Sequence, residues 1–312
     1  MPLLRIPHPS RLALALILLV LTALVAVWLT LRHVEQPQRI RITSIADLQR
    51  TFETFDYSLA SVRRDGRVPR LMVSDIPGLE EKNLDAAERK KVFFETVLPL
   101  VLMANERVGN DRQRLLNLDA GLRRGTPVGA VDRRWLAGLA ARYRIKLPVE
   151  AEPDDMRKAI DALRRRVAPV PPSLALSQAA VESAYGTSRF SVEGNALFGQ
   201  WTDAGGLKPE RQRADKSGWS VADFASPLRS VEAYLRNLNT HGAYRAFRAA
   251  RHRAEIGGAT PSGLTLAATL EGYSEKGPAY VEILRAIIRT NGLAALDHAR
   301  LDAGARIRLI VP

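Results

Sequence analysis

The sequence predicts an α+β fold that is mainly helical, with one small β-hairpin and a single apolar segment ahead of everything else. Three observations carry that reading. Apolar residues recur at intervals of three and four through most of the chain. The period changes between Lys208 and Phe224, where two short extended pieces, Lys208 to Arg213 and Trp219 to Phe224, flank Lys216, Ser217 and Gly218. Leu12 to Leu31 contains no charge at all. With 312 residues, 46% of them hydrophobic and 25% charged, the chain has material for one large core or two modest ones.

Leu12 to Leu31 is almost wholly apolar and long enough to cross a hydrocarbon core as a helix. Arg5, His8 and Arg11 precede it as a basic flank, and no small-x-small cleavage site ends it, so an uncleaved signal anchor over residues 1–33 is expected. Arg32, Arg39 and Arg41 follow directly and oppose the usual excess of positive charge on the cytoplasmic side. A second region, residues 34–145, opens with a polar tether from Val34 to Arg41. Ile45, Leu48, Phe52, Phe55 and Leu59 mark an amphipathic helix from Ile42 to Val62, capped by Ser44. Arg63 to Leu79 is rich in turns, with Arg70 to Val73 its strand-like piece. A long helical pattern then runs from Leu84 to Leu122, where Pro99 predicts a kink or a break, and its stripe of Phe93, Phe94, Leu98, Leu100 and Val101 reads as core. Asp132 is placed to cap a further helix through Tyr143.

The third region, residues 146–297, holds the residues that carry chemistry. Asp154 or Asp155 caps a helix ending near Val167, and the run Pro169 to Pro172 leads rigidly into the next one. From Ser173, the expected cap, to Ala184, small and apolar residues fall at helical spacing around one acid, Glu182. A carboxyl on so apolar a helix loses hydration, which raises its pKa and lets it hold a proton for general acid catalysis. Beside it, Tyr185, Phe190, Phe198 and Trp201 are spaced among Gly186, Gly194 and Gly199, a loop of aromatic faces suited to sugar rings. After the hairpin, helical patterns run from Pro227 to Leu238, Ala243 to Glu255, Leu264 to Leu270 and Ala279 to Thr290, and residues 298–312 read as a tail.

The run from Val181 to Trp201 resembles the glucosaminidase domains of glycoside hydrolase family 73, and within them the membrane-anchored bacterial Bax-type proteins. Gln178, Ala179, Glu182, Ser183, Gly186, Ser188, Asn195, Leu197, Phe198 and Gly199 fill the family's pattern in order. Leu98 to Glu106 and the Asn-Leu-Asn-Thr-His run ending at His241 are also similar to Bax-type members. The resemblance implies a lysozyme-like helical domain with a small β-hairpin lobe, behind a helical region and one N-terminal transmembrane helix. It implies cleavage next to N-acetylglucosamine in peptidoglycan with Glu182 as the acid, Tyr185, Asn195, Phe198, Trp201 and Tyr273 as substrate-binding residues, and a single-pass inner-membrane protein whose catalytic domain lies in the periplasm. A lytic transglycosylase and a non-catalytic wall-binding protein are the alternatives. The hairpin supplies Glu210, Asp215 and Asp223 as acids opposite Glu182; the resemblance points to Glu210 as second catalytic residue, although Pro209 interrupts the family's step there, and a route in which the substrate's own N-acetyl group attacks needs no second carboxylate.

Composition narrows the rest. The absence of cysteine excludes disulfides, thiolate metal sites and cysteine nucleophiles. The five histidines are scattered without metal-ligand spacing and no phosphate-binding glycine loop occurs, so neither metal nor cofactor is expected. A net charge of +13 favours an anionic partner. The basic residues carry no nucleic-acid signature, which leaves glycan strands of the wall as the expected partner and solvated helix faces as the ordinary source of the charge. Nothing in the sequence speaks to oligomeric state.

Overall fold

Strand β1 (Gln38–Arg41) pairs with the far end of the chain, residues 307–310. A computed structural model describes residues 19–23, 38–79, 84–209 and 218–311. Helix α1 (Ile45–Thr54) starts as expected, Ser44 Oγ accepting from Asp47 N at 3.1 Å and Ile45, Leu48 and Phe52 facing inward. The single helix expected to reach Val62 is instead two, because Asp56 takes a positive φ of 47° and Ser58 begins α2 (Leu59–Asp65) with a reciprocal capping box to Ser61. Short strands β2 (Arg67–Val68) and β3 (Leu71–Val73) follow.

Helix α3 (Ala86–Arg123) runs through Pro99 without the expected break. Proline removes the donor that would serve the carbonyl four residues earlier, that of Glu95. The Tyr57 hydroxyl replaces it, donating to Glu95 O at 2.8 Å, while Glu95 Oε1 accepts from Leu59 N at 3.1 Å at the start of α2. Two helices, α4 (Ala130–Arg142) and α5 (Pro153–Arg166), pack on the far half of α3 around their own small core of Leu115, Leu136, Leu139, Ile160 and Leu163. Gly129 and Glu152 occupy the cap positions, and Asp132, Asp154 and Asp155 lie in the first turns.

The remainder belongs to one large core that also takes in residues 42–104. It comprises α6 (Pro172–Glu182), α7 (Arg189–Gly194), the strand pair β4 (Trp201–Thr202) and β5 (Ser220–Val221), then α8 (Pro227–Thr240), α9 (Arg245–Ile256), α10 (Gly263–Ala267) and α11 (Pro278–Thr290). The hairpin's return piece lies where expected. Its outgoing strand is Trp201–Thr202, with Leu207 bridged to Val221, and not the Lys208 to Arg213 stretch, of which only residues 208 and 209 are described. Residues 298–312, expected as a tail, supply β6 (Arg300–Leu301) and β7 (Ile307–Ile310). Strand β7 is the centre of a parallel sheet ordered β1-β7-β3, and β6 pairs in parallel with β2. Strands β1 to β3, the C-terminal strands and the helices around Glu182 are therefore one folded body. The expected N-terminal span is described only at residues 19–23, which are helical and exposed; among the described residues no helix is long and apolar enough to cross a membrane.

A buried arginine ties the small core to the large one. Arg251 on α9, 1% exposed, donates to the carbonyls of Arg165, Ala168 and Pro169 and to Asn239 Oδ1 at 2.8–3.2 Å. Arg112 adds bonds to Arg164 O and Val167 O, both at 2.7 Å, and pairs with Glu255. Together they satisfy the carbonyls that the end of α5 leaves open.

Candidate active site

Helix α6 is apolar almost all round and buried from Pro172 to Ala180, so its direction is set by packing on every side. Ser173, expected as its cap, is the second residue of the helix; its N and Oγ bond to Asp297 at 2.8 and 2.9 Å, placing a remote carboxylate at the positive end of the helix. The helix ends on Glu182.

Three successive residues after Ser183 are left-handed: Ala184, Tyr185 and Gly186, with φ of 50°, 56° and 81°. Each non-glycine residue there costs roughly 1–2 kcal/mol, so the turn must be held from outside. Ser183 Oγ donates to Ala179 O at 2.6 Å and accepts from Gly186 N at 2.9 Å. The Tyr185 ring lies edge-on to Phe93 and Phe94 of α3, 5.8 Å from each. A Cβ at Gly186 would sit 3.0 Å from Leu79 and 3.1 Å from Phe93, so glycine is required by contact as well as by φ. The apolar stripe on α3 is core, and part of that core braces the turn behind Glu182.

A hydrogen-bond chain reaches the carboxyl from the other side. The Tyr234 hydroxyl donates to Gln178 Oε1 at 2.7 Å, Gln178 Nε2 donates to the Tyr280 hydroxyl at 3.0 Å, and Tyr280 donates to Glu182 Oε1 at 2.7 Å. Burial, then the Glu182 charge, raises the Tyr280 pKa far above its ordinary value and keeps it a donor. Glu182 Oε2 has no hydrogen bond among the described residues and lies 3.6 Å from where a Cβ on Gly199 would be, so the glycine keeps the approach open. Burial raises the Glu182 pKa above the usual carboxylate value; the Tyr280 hydrogen bond and the positive charge of Lys276 pull the other way without cancelling it.

Stacked rings frame the acid. Phe198 lies on Tyr234 at 3.9 Å and Tyr273 on Tyr280 at 5.7 Å, both pairs near parallel, and the Tyr273 hydroxyl donates to Phe198 O at 3.4 Å. Of the expected substrate-binding residues, Tyr185, Trp201 and Tyr273 are half-buried. Phe198 and Asn195 are 2% and 6% exposed. Phe198 is a stacking partner inside the core. Asn195, at a left-handed helix end, accepts from Ile76 N at 3.1 Å and donates to Asp75 Oδ1 and Phe224 O. Both hold the loop in shape and present no face to a ligand. Glu210 and Asp215 lie outside the described residues; Asp223 is exposed beside Gly194. No cluster of three or more metal-binding side chains occurs among the described residues.

Sequence reasoning missed the supporting tyrosines, Tyr234 and Tyr280, and gave Gln178 no role beyond the pattern. Gln178 had a legible signal, since it is one turn before Glu182 on the same face of an apolar helix. Tyr280 had none of that kind, because it is 98 residues from its partner.

Two comparisons bear on this site. The family described as Glucosaminidase, mannosyl-glycoprotein endo-beta-N-acetylglucosaminidase, matches residues 158–293. Protein bax of Escherichia coli (strain K12) is 30% identical over 219 residues, 70% of this chain and 75% of that protein. No solved structure matches.

Proposed function

From the premise that the chain belongs to the Bax-type glucosaminidase family and is a glycoside hydrolase, we propose that it cleaves a glycosidic bond next to N-acetylglucosamine in peptidoglycan, with Glu182 as general acid. The observation that carries this reading is the asymmetry of the Glu182 carboxyl. Oε1 receives the only proton of Tyr280, whose oxygen is itself held by Gln178, so Oε1 acts as an acceptor. The acid's own proton therefore belongs on Oε2, the oxygen beside Gly199 that has no partner among the described residues. Burial keeps that proton in place, and a sugar oxygen arriving over Gly199 takes it. Once the carboxyl is ionised, the Tyr280 hydrogen bond and Lys276 stabilise the charge until it is reprotonated. Tyr185, Trp201 and Tyr273 are the rings left to bind sugar faces.

Glu210 is our second catalytic residue, either activating water or attacking the sugar; the substrate's own N-acetyl group is the other route. Glu210→Gln is accordingly expected to weaken cleavage far less than Glu182→Gln, and turnover of purified sacculi by the two variants measures the difference. The segment Leu12 to Leu31 is proposed to hold the protein in the inner membrane with residues from about 42 onward on the wall side. A muropeptide digest tests the reaction: new reducing ends at N-acetylglucosamine are expected. Anhydro-muramic products would make it a lytic transglycosylase, and no products would make it a binding protein.

A further inference from the structure

Among the described residues, the face of the β1-β7-β3 sheet turned away from the core is basic and its strands place no acid there. Alternation along the strands puts Ile40, Leu309 and Val73, which are register partners, on the core side with Leu71. The opposite side presents Arg39 and Arg308 as register partners, with half-buried Met72 at the same register but packed against the core, and Arg41 beside Ile310 as the next row. Arg39 and Arg41 are exposed, Arg308 is half-buried, and none of the three has an ion-pair partner among the described residues. Arg308 Nε is buried without a hydrogen-bond partner. Like charges on directly paired strand positions repel, so Arg39 against Arg308 is an arrangement that an anion between them would relieve.

Position says which anion. Residues 32–37 are all that separate the apolar segment ending at Leu31 from β1, a reach of about 20 Å when fully extended. Strands β1 and β7 run parallel, so the start of β7, with Arg306, lies at the same end of the sheet as this short connection.

We propose that this sheet face docks on the anionic phospholipid headgroups of the membrane in which the chain is anchored. The inference rests on the anchored reading above. Arg39, Arg41 and Arg308 bind headgroup phosphates through paired N–H donors, as clustered basic residues beside a span do. This gives a role to Arg39 and Arg41, which follow the apolar segment and oppose the charge rule for its orientation: on the wall side they belong to a folded sheet that holds the hydrolase against the bilayer.

The chain has no cysteine, so Ala305→Cys, in the exposed loop before β7, places one fluorescent label at that end of the sheet. The full chain is reconstituted in vesicles of phosphatidylcholine alone or with phosphatidylglycerol, and quenching by a water-soluble quencher is read. Quenching is expected to fall by roughly threefold or more in the anionic vesicles, to recover at about 1 M salt, and to recover in the Arg39→Gln, Arg41→Gln, Arg308→Gln variant. The double variant at the two exposed positions 39 and 41 gives the same result in part if the triple variant folds poorly. Equal quenching in both vesicle types, or a variant that keeps the effect, overturns the proposal. Equal protection by soluble polyglycerol phosphate added to phosphatidylcholine vesicles overturns the choice of lipid. Release of the chain from both vesicle types by alkaline wash refutes the anchored reading, and the docking proposal with it.

Discussion

The hydrogen-bond chain behind Glu182 and the arginine network at the end of α5 are both buried, yet they treat an ionisable group in opposite ways. Arg251 is surrounded by acceptors, three carbonyls and an amide oxygen. Burial brings its pKa down to about 9, which leaves it charged at neutral pH, and its bonds are permanent. Among the described residues, Glu182 receives one hydrogen bond on Oε1 and none on Oε2. Burial there raises the pKa and so favours the neutral acid, the form that the proposed general-acid role requires. Full satisfaction makes a joint; partial satisfaction is what the proposed general acid requires.

Replacing the acid should break the comparison most sharply. Glu182→Gln is expected to lower turnover of purified sacculi by at least about a hundredfold. Its folded-state pKa is raised, so the ionised form costs stability as pH rises through that value, and the amide removes the cost. The melting temperature at neutral pH should therefore stay level or rise. Arg251→Met is the converse: it leaves several buried acceptors unpaired and should cost about 3 kcal/mol of stability, read as a lower denaturant midpoint, with little change in turnover by the folded fraction.

Smaller changes sharpen the same contrast. Tyr280→Phe removes the hydrogen bond that lowers the Glu182 pKa. The alkaline limb of the pH–rate profile, where the acid loses its proton, should move to higher pH, while kcat falls about tenfold because Oε1 is no longer held. Lys276→Met should move that limb the same way by less, since Lys276 is exposed and acts through solvent, with kcat nearly unchanged. A shift toward lower pH in either variant would contradict the assigned role of the group.

The periodicity of the chain was enough for the mainly helical class, for helices α6, α8 and α11 within a few residues, and for the hairpin's return strand near Trp219. It was enough to single out Glu182 as the candidate acid, because a single acid on an apolar helix is a local fact and the residues after it fall in the family's order. Asn195 and Phe198, expected on a binding surface, are buried: a pattern of residue types does not say which side of a loop faces water. In the folded chain both are occupied, one by Ile76, Asp75 and Phe224, the other by Tyr234.

What the sequence alone determined, then, is what neighbours within about one helical turn decide: which stretches are helical, where an acid would be desolvated, and where an uncharged segment precedes a folded body. Only the tertiary structure decided whether Pro99 would break its helix, since Tyr57 supplies the missing donor from 38 residues away. It alone placed the last strand between β1 and β3, brought Asp297 to the start of α6 across 124 residues, and set Tyr280 on Glu182. The reason is physical: a buried hydrogen-bonding group must find a partner wherever the packed chain brings one, and that partner's distance along the sequence leaves no trace in the period of either segment.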